Sequence, residues 1–133
     1  MNYRWDWSVL IREPFVGWLW SGVLLTLAIS LLSWAVALTI GIVVGIARSA
    51  PSRVARLLAG IYIDVFRSVP PLVQLFLWYF VFPEVVPDSI GLWLKRDLPY
   101  PEIVTAVLAI GLFAGARVAE QVRAGIQSLA RGQ

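Results

Sequence analysis

The chain has 133 residues, of which 59% are hydrophobic and 14% charged, with a formal net charge of +3 and a mean hydropathy of +0.79. Soluble domains carry about 25% charged residues, so this composition excludes an ordinary soluble domain, and the long apolar runs point to an all-α membrane protein. Cysteine and histidine are both absent, which removes disulfide frameworks, Cys/His zinc sites, Cys or His nucleophiles and the usual neutral-pH general base, leaving no catalytic or metal site to expect.

From Trp18 to Ile46 run 29 residues without a charge, more than the roughly 20 needed to cross about 30 Å of hydrocarbon. This predicts a transmembrane helix over about 18–46. A cleavable signal peptide is the rival, since Ala35-Val36-Ala37 mimics the small-x-small cleavage pattern. A signal core runs only about 7 to 15 residues before turning polar, whereas Leu38 to Ile46 stays apolar.

Next come Arg48, Arg53 and Arg56 with no acid among them, and Pro51, which cannot continue a helix. Lys and Arg collect in short cytoplasmic loops, so this loop is expected inside. The N-terminal arm, with Arg4 and Arg12 offset by Asp6 and Glu13 and with Trp5, Trp7, Trp18 and Trp20 nearby, is then expected outside. Cations that flank apolar runs, not gathered on one face beside stacking aromatics, argue against nucleic acid as a partner and for membrane lipid.

The second apolar block, Leu57 to Phe82, is interrupted by Asp64, Arg67 and Pro70-Pro71. A span over about 60–82 is expected, as a cytoplasmic helix leading into a tilted span or as one helix broken at the prolines, with a bend there. Between Pro83 and Pro101 the prolines and acids predict an external loop holding a short interfacial helix. The third span, about 102–122, is rich in Ala and Gly, which lets backbones approach closely and predicts packing against other helices. Gly41 to Gly45 and Gly111 to Gly115 are small-xxx-small patterns, compatible with self-dimerisation or with ordinary helix packing. Residues 123–133 form the expected cytoplasmic exit segment.

Asp64, Arg67, Pro71 and Gln74 share one stripe if the helix is unbroken. They make a polar strip lining a pathway or hinge, or else Asp64 and Arg67 simply neutralise each other at the membrane boundary. Arg117, Glu120 and Arg123 form successive (i, i+3) opposite-charge pairs, with Val118, Val122, Ile126 and Leu129 on the other side. That pattern suits an amphipathic exit helix, lying on headgroups or docking a partner, with Gly132 after Arg131 as its C-terminal cap. There is no phosphate-cradling glycine-lysine loop and no internal repeat, so any driving energy must come from another chain.

The stretch Phe66-Arg67-Ser68-Val69-Pro70-Pro71-Leu72-Val73-Gln74 resembles the F-R-G-T-P-L-L-V-Q stretch of bacterial ABC-transporter permeases for polar amino acids. Ala119-Glu120-Gln121-Val122-Arg123-Ala124-Gly125-Ile126-Gln127-Ser128, then Arg131-Gly132-Gln133, resembles the segment leading into their cytoplasmic coupling loop. The likeness covers essentially the whole chain. With Pro83-Glu84-Val85-Val86-Pro87, Ile90-Gly91-Leu92-Trp93 and Ala116-Arg117-Val118, it looks most like the glutamate/aspartate type.

The resemblance implies three transmembrane helices forming the N-terminal part of a type I ABC importer permease (MetI-like) fold in a bacterial inner membrane. It implies a second permease subunit, identical or different, and an external amino-acid-binding protein. It also implies an ABC ATPase that binds ATP and Mg, with no cofactor in this chain. By carry-over, Arg67, Pro70, Pro71 and Gln74 lie at the translocation path or hinge, and Glu120, Arg123, Gly125, Arg131, Gly132 and Gln133 at coupling-loop entry and ATPase contact. The chain departs from the family at Ser68 and Pro71, where Gly and Leu are usual, and it stops before the family's E-A-A residues and later spans, so a truncation at the coupling loop is expected. The alternative is a three-helix channel-like or scaffold membrane protein acting without an ATPase.

Overall fold

A computed structural model describes residues 6–129. Among these residues there is no strand. A 3-10 turn (Trp7–Ile11) leads into α1 (Phe15–Ser49), α2 (Arg53–Ser68), α3 (Pro71–Phe76), α4 (Phe82–Val85), α5 (Asp88–Leu92) and α6 (Pro101–Ser128). A π-helical stretch, Leu77–Val81, joins α3 to α4, and a second, Trp93–Asp97, extends α5.

The 35 residues of α1 reach about 52 Å at ~1.5 Å per residue. Most of its large side chains are exposed, Trp18 at 65% and Trp34 at 62%, as lipid-facing residues are in an isolated chain. Only a stripe of small residues is buried: Ser33, Ala37, Gly41 and Gly45, at every fourth position. It packs on a second four-residue ladder, Gly111, Gly115 and Ala119 of α6. A Cβ at Gly41 would stand 2.5 Å from Val118 Cβ, and one at Gly45 would stand 2.7 Å from Val122 Cβ. Glycine is therefore required by the close approach of the helices. Numbers rise together along both helices, so α1 and α6 run parallel. Both small-xxx-small patterns are used in this intrachain contact, the ordinary-packing reading of the two.

Pro51 ends the first helical path, and Ser52 opens α2 by accepting the Ala55 amide on its hydroxyl. At the other end Val69 is extended (φ −97°, ψ 127°) and Pro70 follows it, the conformation a residue before proline prefers. Pro71 then occupies the first turn of α3, where its missing N–H costs nothing. Across this break the chain turns by 104° between Arg53–Ser68 and Pro71–Val85. The second apolar block is thus two helices, and the single stripe expected for Asp64, Arg67, Pro71 and Gln74 does not form. Nor do Asp64 and Arg67 make an ion pair.

The path from α3 into the Leu77–Val81 stretch returns alongside α6 in the opposite sense, with the Tyr79 hydroxyl of that stretch reaching the Glu102 carboxylate at 3.5 Å near the start of α6. The connection between them is tied by the Glu84–Lys95 ion pair and by Gly91, which lies against the Pro83 carbonyl where a Cβ has no room. Tyr100 adopts the left-handed region (φ 51°) immediately before Pro101 opens α6. α1 and α6 are long and apolar enough to cross a membrane, and the bent α2 to α4 path is a third span if taken as one.

α6 stops at Ser128, with Leu129 extended. The Ser128 hydroxyl donates back to the Gly125 carbonyl at 2.8 Å, and Gly125 itself weakens the last turn. The Gly132 cap expected from the sequence lies beyond this point, outside the described residues. Arg131, Gly132 and Gln133, like Arg4 and Trp5, lie outside the described residues.

Candidate functional site at the helix break and the arginine end

The break between α2 and α3 leaves the last carbonyls of α2 without helical partners. Gln74 supplies them. Although on α3, it is only 4% exposed, and its Nε2 donates to the carbonyls of Phe66 and Val69, both at 2.9 Å. Its Oε1 is buried with no partner among the described residues. In the crook beside it lies an apolar cavity of about 300 Å³ lined by Phe66, Gln74, Leu77 and Trp78, among others. Gln74 is therefore a staple across the bend, and Pro70 and Pro71 are its stiff corner.

α2 is carried across the α1–α6 pair by two contacts. The Tyr62 hydroxyl donates to the Leu112 carbonyl on α6 at 2.7 Å and sits 3.0 Å from where a Gly115 Cβ would be. Arg48, at the end of α1, lies over Gly60 and donates to the Arg56 carbonyl at 3.2 Å. Its Nε is buried without a partner among the described residues. Sequence reasoning assigns Arg48 only to a loop and gives Tyr62 no role. No local signal marks either, because both contacts depend on α2 folding back across the other helices.

Crossing in this way brings the end of α2 to α6. Arg67, Arg117 and Glu120 together line a cavity of about 270 Å³. Glu120 is bonded by Arg123, through Nη2 at 2.9 Å and Nε at 3.2 Å, and Arg123 also donates to Gln127 at 2.7 Å. Arg67 and Arg48 are both near enough for their charges to act on Glu120. Arg117 does not complete the second (i, i+3) pair; its guanidinium lies over the Phe113 ring, 4.5 Å from the centroid.

Of the residues singled out from the sequence, Arg67 and Glu120 thus meet at one site, Gln74, Pro70 and Pro71 lie at the bend, and Arg123 braces Glu120. Gly125 is exposed, and a Cβ placed on it would meet nothing within 4 Å. Among the described residues no cluster of acids could hold a metal ion.

Residues 37–133 match the family described as binding-protein-dependent transport system inner membrane component. The glutamate/aspartate import permease protein GltJ of Escherichia coli (strain K12) is 44% identical over 142 aligned positions, which cover 100% of this chain and 57% of that protein. The corresponding GltK of Escherichia coli O157:H7 is 33% identical, over 98% of this chain and 56% of its own length. Among solved structures, a crystal structure of an amino acid ABC transporter with histidines superposes with a TM-score of 0.76 at 27% identity, covering 98% of this chain and 55% of that one. The chain spans just over half the length of the relatives it matches.

Proposed function

The chain belongs to the binding-protein-dependent transport system inner membrane component family, and on that footing we propose that it forms part of the permease subunit of an ATP-driven importer of acidic amino acids. The observation that carries this reading is the 44% identity to a glutamate/aspartate import permease along the whole chain. The likeness to both GltJ and GltK supports pairing with a second permease subunit. An external amino-acid-binding protein and an ABC ATPase that binds ATP and Mg complete the assembly.

The orientation follows from charge. Arg48, Arg53 and Arg56 favour the cytoplasm for the end of α1, and α6, being parallel to α1, then delivers Glu120 and Arg123 to the same side. In this reading the ATPase docks near Arg123 to Gln133. Movement of α6 on ATP binding is passed to α2 through Tyr62, and the stapled bend at Pro70-Pro71 converts it to a tilt of α3. The membrane cost of charged groups favours the arrangement in which Arg67 and Glu120 share one cavity.

The test is ATP hydrolysis by the purified permease–ATPase complex in lipid nanodiscs. Glutamate-loaded binding protein is expected to stimulate hydrolysis above the level with unloaded protein. Hydrolysis indifferent to the loaded binding protein would refute the proposal.

A further inference from the structure

Arg117 lies deep for a charged residue. Val118 faces Gly41 and Val122 faces Gly45, so Arg117 is level with Ile40, eight residues before Arg48. At ~1.5 Å per residue this is about 12 Å further into the membrane than the arginine end of α1. A cation near the end of a span ordinarily snorkels to the nearer surface. Arg117 turns the other way: helical side chains lean toward the N-terminus, and its guanidinium lies over Phe113, one turn deeper in α6.

Arg67 faces the same cavity from the end of α2. Among the described residues neither Arg67 nor Arg117 has a carboxylate partner, because the one acid lining the cavity, Glu120, is held by Arg123. Two guanidiniums that make no contact ion pair among the described residues therefore line a space of about 270 Å³ at the depth of Arg117, sharing it with a single acid that Arg123 already bonds. Such charges persist in a membrane beside water, an opposite charge or backbone carbonyls, and a guanidinium's planar fork matches a carboxylate.

We propose that Arg67 and Arg117 form an oxyanion site that receives the carboxylate of the amino acid in transit and favours an acidic substrate over its amide. The site rests on the permease reading and adds to it the residues that recognise the charge. Glu120, already neutralised by Arg123, leaves the cavity net positive, so a substrate with a net negative charge gains more there than a neutral zwitterion. A phosphate on an anionic lipid headgroup offers the same oxyanion chemistry, and the test separates the two sources.

The test is equilibrium binding of labelled glutamate and of labelled glutamine to the permease–ATPase complex in phosphatidylcholine nanodiscs, without binding protein. Arg67→Gln and Arg117→Gln are each expected to weaken glutamate at least about tenfold, the loss of one charge-assisted bond, and to leave glutamine nearly unchanged. Arg117→Lys is expected to keep part of the preference and a wild-type thermal midpoint. Equal weakening of both ligands, or no weakening of glutamate, would overturn the assignment. So would phosphatidylglycerol that displaces glutamate from the wild type but not from Arg117→Gln, which gives the site to a lipid headgroup. A wild-type complex that binds neither amino acid would overturn the permease reading as well, whereas wild-type binding indifferent to both variants overturns the site alone.

Discussion

Gln74 on α3 donates its side-chain amide to the Phe66 carbonyl on α2, 2.9 Å across a break where the chain turns by 104°. With the matching bond to Val69, one side chain satisfies two carbonyls that the prolines leave exposed. The bend is thus held by a specific polar contact, and proline stiffness alone does not define it.

Replacing Gln74 by Leu keeps the volume and removes both donors. Two carbonyls then lose their partners, which costs about 1–3 kcal/mol for a buried unsatisfied group. Gln74→Glu is expected to be worse at neutral pH, because a carboxylate faces two carbonyl oxygens with no proton to donate. Thermal unfolding of the purified complex in detergent checks this; wild-type midpoints for both variants would show that the staple is dispensable.

The α1–α6 contact makes an equally direct prediction. Gly41→Ala places a methyl 2.5 Å from Val118 Cβ, so the helices must part, at an overpacking cost of about 1–3 kcal/mol. Gly22→Ala on the same helix meets nothing within 4 Å and is expected to be neutral or to stabilise by up to about 1 kcal/mol through helix propensity. The pair of variants is read by denaturant or thermal unfolding. Equal behaviour of the two would contradict the register of α1 on α6.

These contacts show how far the sequence could be followed. α1 was legible because a charge-free run from Trp18 to Ile46 has few other structures open to it. The break was legible in Pro70-Pro71, since proline acts on its own backbone and its immediate neighbours. The small residues of α1 and α6 announced close packing, but not that Gly41 would meet Val118, because register is set by two surfaces at once. The meeting of Arg67 with Glu120 was hidden for the same reason: it depends on the angle at which α2 crosses α6. Helical spacing instead suggested Asp64 as the partner of Arg67, a pairing that holds only for neighbours on one helix face, and the structure does not make it.

Topology is open to a labelling test in a chain without cysteine. Single cysteines at Ser52 and Ser128 are expected to resist an impermeant thiol reagent applied from outside the cell, while one at Ser89, in α5 on the connection between α4 and α6, is expected to react. Labelling of 52 and 128 from outside, with protection of 89, would invert the orientation.

The central claim is that this chain serves an ATP-driven importer of acidic amino acids, and uptake of labelled glutamate into reconstituted vesicles tests it most directly. The permease carrying this sequence, assembled with its ATPase, second permease subunit and binding protein, is expected to accumulate glutamate only with ATP. The 133-residue chain by itself is expected to give no flux with or without ATP. Glutamate flux through the chain alone, independent of ATP, would contradict the importer claim and establish the channel in its place.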